Sequence, residues 1–258
     1  MTINFHDGKN SNSYTGRLVD QSWQNIIRDL VPLDNIDRAA EIGCGGGIYT
    51  RTLSDMGISS ITGVDFSNVM LETARRETKK YKSISFIQGE ASHTNFKAEE
   101  LDMVLSRALI HHLDDLPSHF KEVNRILRKD GIHIIQDRTP EDCFLEGSPD
   151  HLRGYFFSLF PKLKEKEKSR RYESSQVRSS LLAYGFNEIK EIKLWELRKV
   201  FQQKTDVLKE LRLRKGRSIL HELTNTELTM LVNYIDEKLP AYKQVIEKDR
   251  WTIWHAVK

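Results

Sequence analysis

Residues 39–47 read Ala39-Ala40-Glu41-Ile42-Gly43-Cys44-Gly45-Gly46-Gly47. An apolar run breaks into a glycine-rich turn, with a carboxylate two residues ahead of the first glycine. Glycine has no Cβ and accepts positive φ at little cost, so such a turn lets backbone approach a ligand closely. Asp65 ends a second apolar run, Ser60-Ile61-Thr62-Gly63-Val64-Asp65, 22 residues after Gly43. A carboxylate there can accept both hydroxyls of a ribose. Together these features outline a nucleoside pocket on an open α/β sheet.

The rest of the chain extends that pattern. Strand-like runs cover Arg38 to Gly43, Ser60 to Asp65, Ser83 to Gln88, Leu101 to Ser106 and Gly131 to Gln136, with helical segments between them. Strands alternating with helices predict a mostly parallel sheet with right-handed crossovers. Ahead of them, residues 17–31 place Leu18, Trp23, Ile26, Ile27 and Leu30 on one helical face, and Pro32 stops the helix. Ser67 is placed to cap the helix after Asp65, which buries Val69, Met70, Thr73 and Tyr81. Arg128-Lys129-Asp130-Gly131 reads as a helix end with positive charge and a closing glycine.

Beyond Asp137 the pattern changes. Three prolines and an aromatic cluster, Tyr155, Phe156, Phe157 and Phe160, fill 139–172. A helix from Ser174 to Tyr184 leads into a strand-like run from Glu188 to Val200. A helical insertion over 204–247 carries a capping box, Thr224-Asn225-Thr226-Glu227. An alternating strand, Trp251 to Val257, follows. The expected organisation is an N-terminal helical segment (1–35), a core (36–138), a lid insertion (139–173), core completion by 174–203 and 248–258, and a helical insertion (204–247).

Composition narrows the function classes. The 258 residues suffice for one large domain or one with an elaborated cap; 30% are charged and 38% hydrophobic. No stretch of about 18 apolar residues is present to span a membrane. Met1 to Asp7 lack the basic-then-apolar pattern of a signal peptide. Cys44 and Cys143 are the only cysteines, which excludes a disulfide framework and a cysteine-rich metal site and suits a reducing cytoplasm. Net charge is +3, yet Phe160 to Arg217 holds 17 Lys and Arg against 8 Asp and Glu. That excess fits a solvated helical face, an anionic substrate, or RNA. Arg214 with Arg217 is a candidate pair for a carboxylate or phosphate.

The ordered motifs resemble those of the class I S-adenosylmethionine (SAM)-dependent methyltransferases, over roughly residues 36–200 and the final strand. Glu41 to Gly47 is similar to the first motif, E/D-x-G-x-G-x-G. Val64-Asp65-Phe66-Ser67 resembles the second, and Gln88-Gly89-Glu90-Ala91 the third, with glutamate where the family usually has aspartate. Leu101 to Ser106 with Ile110-His111-His112-Leu113-Asp114 resembles the fourth, and Ile126 to Gly131 the segment usually read L-K-P-G-G. The resemblance implies a three-layer, Rossmann-like, seven-stranded sheet, mostly parallel with an antiparallel last strand, plus helical lid insertions. It implies SAM as cofactor, with S-adenosylhomocysteine as product. The cofactor-binding residues would be Glu41, Gly43, Cys44, Gly45, Asp65, Phe66, Glu90, Ala91, Ser106 and Arg107.

His111 and His112 lie just past the fourth strand, at the carboxyl edge of the sheet where ligands bind, and are the candidate general bases. Tyr14, Asp137, Arg138 and Tyr155 are candidate substrate contacts. The expected activity is methyl transfer to a small-molecule acceptor in the cytoplasm. The alternatives are a tRNA or rRNA methyltransferase and a catalytically silent nucleoside-binding protein. A nicotinamide oxidoreductase is the further rival; its G-x-G-x-x-G fingerprint needs a glycine where Ile48 stands.

Overall fold

The computed structural model describes residues 19–241 and 244–258. Tyr14 and Leu18 lie outside the described residues. The chain divides into two compact units. The first contains residues 19–137, Tyr172–Leu194 and Thr252–Lys258; the second contains Arg138–Arg171 and Trp195–Trp251.

Seven strands form one sheet in the order β3-β2-β1-β4-β5-β7-β6. They are β1 (Arg38–Ile42), β2 (Ser60–Asp65), β3 (Ile84–Gln88), β4 (Leu101–Arg107), β5 (Leu127–Asp137), β6 (Asn187–Phe201) and β7 (Val245–Val257). β1 to β5 pair in parallel, and β7 joins β5 antiparallel, with Ile132 opposite Val257 and Asp137 opposite Thr252. Sheet order therefore reverses direction between β1 and β4, both of which lead into turns at their carboxyl ends. That is where an open α/β sheet leaves room for a ligand.

Period-two alternation assigns the two faces of this sheet. Ala39, Met103, Leu105, Ile134 and Ile253 pack with Trp23 and Ile27 of α1 (Gln21–Leu30) and Leu53 of α2 (Ile48–Asp55). Ala40, Ile42, Val104, Ile135 and Trp254 pack with Phe120 and Val123 of α4 (Leu116–Ile126) and Val177 and Leu181 of α8 (Ser174–Ala183). Helices on both faces make the three layers that the sequence pattern predicts. The capping details differ from expectation. The helix after β2, α3 (Asn68–Glu77), does have Ser67 at its N-cap, but the Ser67 side chain makes no cap bond. The helix α4 ends at Ile126, and the chain passes directly into β5. Asp130, not Gly131, takes the left-handed conformation (φ +62°), so this stretch belongs to a longer strand and not to a glycine-closed helix end.

The second unit holds α5 (Pro140–Cys143), α6 (Leu152–Leu159), α7 (Lys162–Lys168), α9 (Lys204–Arg212) and α10 (Asn225–Lys238), together with parts of β6 and β7. Its apolar core joins Phe156, Phe157, Leu211, Leu231 and Ile235. The Thr224–Glu227 capping box forms as the sequence predicts. The final strand begins at Val245, inside the stretch read as helical insertion.

Several arginines in and near Phe160 to Arg217 are held by carboxylates inside this unit. Glu167 is fully buried and holds Arg170, Arg171 (3.0 Å) and Arg153 (3.6 Å). Asp249 holds Arg138 at 3.0 Å and Arg153 at 3.3 Å. Glu247 takes both Arg198 and Arg217 at 2.6 Å. Burial would raise the carboxyl of Asp249, but the guanidinium groups of Arg153 and Arg138 outweigh it and hold the group well below the usual range. Arg214 donates to the carbonyls of Leu220 and Leu223. Arg214 and Arg217 are thus engaged with separate internal partners and do not form the anion clamp that their spacing suggested. Charge counted along a sequence does not reveal which side chains are already neutralised by long-range pairs.

Candidate active site

The glycine turn lies wholly in the first unit. Gly43, Gly45 and Gly47 all have positive φ (+76°, +51° and +76°). Gly43 and Cys44 donate their N–H groups to the Val64 carbonyl of β2 at 2.8 and 3.0 Å. At Gly43 a Cβ would fall 2.8 Å from Leu109 Cδ1, so a side chain there would be both strained and obstructed. The same contact places the segment after β4 directly beside the turn.

Asp65 secures this arrangement. Its Oδ2 accepts from Gly45 N at 2.8 Å and its Oδ1 from Ser67 N at 2.9 Å. The carboxylate, rather than the Ser67 hydroxyl, therefore serves the start of α3. A carboxylate at the end of β2 is an acceptor of the kind that the hydroxyls of a ribose require. Phe66, next in sequence, is 48% exposed.

Glu41 is only 3% exposed, and its carboxylate side accepts from the Thr50 hydroxyl of α2. Burial pushes its carboxyl up to about 8, a shift that the Thr50 bonds and the charge of Arg107 only partly offset. A buried acid raised this far is poised to pair with an incoming cation. Burial also raises the Cys44 thiol well above its ordinary value, so that sulfur stays protonated and unreactive. Arg107 stacks over the Tyr49 ring at 4.0 Å and donates Nε to Gln136 Oε1 at 3.1 Å. Trp23 Nε1 donates to the same oxygen at 2.7 Å.

Other candidates lie at different depths. The Ser106 side chain is fully buried, with its hydroxyl 3.1 Å from His119 Nε2 and 3.0 Å from His133 Nε2. No part of Ser106 is exposed, so the expected direct contact of this residue with a cofactor is not supported. Burial lowers His119 to about 4 and holds His133 well below its ordinary value, so both imidazoles are neutral. Ala91 gives its carbonyl to His119 Nδ1 at 2.8 Å, and Glu90 is exposed, bridged through its backbone to His93.

His111 and Asp137 come together at the carboxyl ends of β4 and β5. His111 Nδ1 lies 2.8 Å from Asp137 Oδ2 and 3.0 Å from Oδ1. The His111 backbone N–H also donates to Oδ2 at 3.3 Å. His112 is exposed, its ring 3.9 Å from that of His111. Arg138 and Tyr155 belong to the second unit. Arg138 is paired with Asp249 and stacked over Trp251 at 4.5 Å. Burial, with the neighbouring charge of Arg153, lowers it to about 10. Tyr155 is buried in the apolar core, 5.7 Å from the Tyr234 ring. Sequence reasoning did not single out Thr50, Leu109 or Gln136. Thr50 works through Glu41, nine residues away, and Leu109 and Gln136 through contacts far along the chain that no local pattern announces.

These residues can hold SAM. A turn of three left-handed glycines, a carboxylate at the end of β2 and a buried acid in β1 correspond to the three parts of that molecule. The order of strands and this turn define a nucleoside-binding α/β domain of the Rossmann-like kind. Residues 40–135 match the family described as "Methyltransferase domain". Over these residues the chain is similar to the class I SAM-dependent methyltransferases. It is 32% identical over 119 residues to the ubiquinone biosynthesis O-methyltransferase of Pelagibacter ubique, covering 43% of this chain and 48% of that protein. It is 28% identical over 132 residues to the demethylmenaquinone methyltransferase of Staphylococcus saprophyticus, covering 48% and 57%. The chain spans about half the length of these curated relatives. In fold it is similar to Haemonchus contortus phosphoethanolamine N-methyltransferase 2, solved with SAM (TM-score 0.62, 20% identity, covering 100% of this chain and 60% of that one).

Proposed function

We propose that this protein transfers the methyl group of SAM to a small-molecule acceptor. The observation that carries the reading is the turn of left-handed glycines stapled by Asp65. Gly43 to Gly45 would lie along the methionine part, with Glu41 near its ammonium. Asp65 would hold the ribose, and Phe66 with Glu90 and Ala91 would flank the adenine. The cofactor supplies an electrophilic methyl on a positively charged sulfur; the chain's task is to hold the acceptor in line and keep water out. The relatives named for quinone biosynthesis favour a small aromatic acceptor over RNA.

The test pairs calorimetry with label transfer. The protein should bind S-adenosylhomocysteine and not NAD, and should move labelled methyl from SAM into members of a panel of phenols, hydroquinones and amines. Binding of NAD in place of S-adenosylhomocysteine would overturn the reading. Transfer to bulk tRNA but to no small molecule would move the acceptor to RNA.

A further inference from the structure

We propose that His119, Glu122 and Arg125, one stripe of α4, are positioning residues that hold residues 90–96 and through them set which purine base the nucleoside site accepts. The inference rests on the methyl-transfer reading above and deepens it.

The three residues stand three apart on the helix, so they follow one another along one side of it. Each reaches a different point of the segment between β3 and β4. His119 Nδ1 lies 2.8 Å from the Ala91 carbonyl oxygen. Glu122 accepts from the Thr94 N–H at 2.8 Å and from the Thr94 hydroxyl at 2.6 Å. Arg125 donates to the Phe96 carbonyl at 2.9 Å and to both oxygens of Glu122. Asn95, between two of the held points, takes a left-handed φ of +68°. The front of the segment is tied to the end of β2 instead. Gly89 N donates to the Asp65 carbonyl at 3.2 Å, and Gln88 Nε2 donates to the Phe66 carbonyl at 2.9 Å.

A carbonyl only accepts, so the His119 proton sits on Nδ1, and Nε2 accepts from the Ser106 hydroxyl at 3.1 Å. The imidazole is thereby fixed at both ends, by β4 and by Ala91. Burial opposes ionisation of Glu122, but its bonds to Arg125 and Thr94 outweigh that and lower it to about 2, so it remains an acceptor.

The consequence for the base follows from the planar peptide. The Glu90 carbonyl accepts from His93 N at 3.0 Å, and in a trans peptide the N–H points opposite to the carbonyl. The Ala91 N–H therefore points out of this turn, and no described residue accepts it. With the Ala91 carbonyl locked on His119, that N–H has one direction. Adenine can offer such a donor an unprotonated N1. Hypoxanthine carries a proton on N1, so two donors would face each other with neither paired. Discrimination of this kind lasts only while neighbouring groups hold the donor in place.

The test uses the full chain, with calorimetry of S-adenosylhomocysteine and of its hypoxanthine analogue, S-inosylhomocysteine. Wild type should bind the adenine ligand about 10–100-fold more tightly, the range for leaving a donor unpaired. His119→Gln places its amide where Nε2 stood, keeping Ser106 and giving up Ala91, and the ratio should fall below about threefold. His119→Asn places its amide where Nδ1 stood, keeping Ala91, and the ratio should stay within about threefold of wild type. Arg125→Met, at a position whose side chain is 40% exposed, should lower the ratio by about threefold or more. Nitrogen-15 NMR of the cofactor-free wild type should find His119 as the Nδ1–H tautomer. A wild-type Nε2–H tautomer, a wild-type ratio kept in His119→Gln, or equal losses in the Gln and Asn variants would overturn the role of His119. An unchanged ratio in Arg125→Met overturns the role of the stripe, and equal wild-type affinity for the two ligands overturns the choice of base. Failure of wild type to bind S-adenosylhomocysteine at all would instead remove the methyl-transfer reading, and this inference with it.

Discussion

Glu41 offers the sharpest test of the cofactor site. Its carboxyl is pushed up to about 8, by burial first. At pH 7 about nine in ten molecules then carry the proton, and leaving it ionised costs about 1.4 kcal/mol. If Glu41 pairs with the ammonium of an incoming ligand, that proton must go. Binding of S-adenosylhomocysteine should release about 0.9 proton from Glu41 at pH 7, about 0.5 at pH 8 and about 0.1 at pH 9. Calorimetry in phosphate and in Tris, whose ionisation enthalpies differ, reads this directly. The ligand's own amine also titrates, so Glu41→Gln is the control. The difference in proton release between the two proteins isolates Glu41, and the wild-type advantage in affinity should grow about tenfold from pH 7 to pH 9. The sign for folding follows from the same shift. A carboxyl raised in the folded state contributes stability that is full below about pH 4.5 and is lost as pH climbs through 8. The cofactor-free protein should thus lose about 1.4 kcal/mol more than Glu41→Gln between pH 7 and 9. Identical proton release in the two proteins would refute the pairing.

Asp65→Ala should weaken S-adenosylhomocysteine binding by about 1.5–3 kcal/mol, the range for hydrogen bonds to a charged group, and unchanged affinity in calorimetry would remove the ribose assignment. His119, lowered to about 4 by burial, contributes stability that is present above its unfolded value of 6.5 and lost as pH falls towards 4. Denaturant titrations should show wild type losing about 3 kcal/mol relative to His119→Gln across that window. Glu247→Gln leaves the Arg198 and Arg217 guanidinium groups without their shared carboxylate; a loss of about 3–5 kcal/mol is expected, measured by chemical unfolding.

The sheet was legible because its signals are local. Each of the first five strands is a short apolar run closed by a turn, and alternation within it assigns both faces. The Thr224–Glu227 box was legible for the same reason. The site was legible where residue types constrain backbone, as at Gly43, and where a strand end fixes a carboxylate, as at Asp65. Pairings across long separations were not. Asp137 and His111 stand 26 residues apart, and each was singled out alone, with Asp137 assigned to substrate. Ser106 looked like a site residue because it ends a strand; strand alternation turns its hydroxyl away, onto two histidines from α4 and β5. The arginines of the second unit looked available because the carboxylates that hold four of them, Glu247 and Asp249, sit on one face of a strand more than 25 residues beyond the basic segment.

The sheet order places β7 between β5 and β6. During synthesis, then, the slot beside β5 stays vacant after β6 has been made, and through the helices that follow, until residues 252–257 emerge. Until that late strand arrives, Asp137 lacks its neighbour Thr252 and one side of β5 has no hydrogen-bonding partner. Closure of the sheet beside β5 thereby waits for residues 252–257, and a nascent chain halted before residue 252 would hold the glycine turn but not a finished sheet.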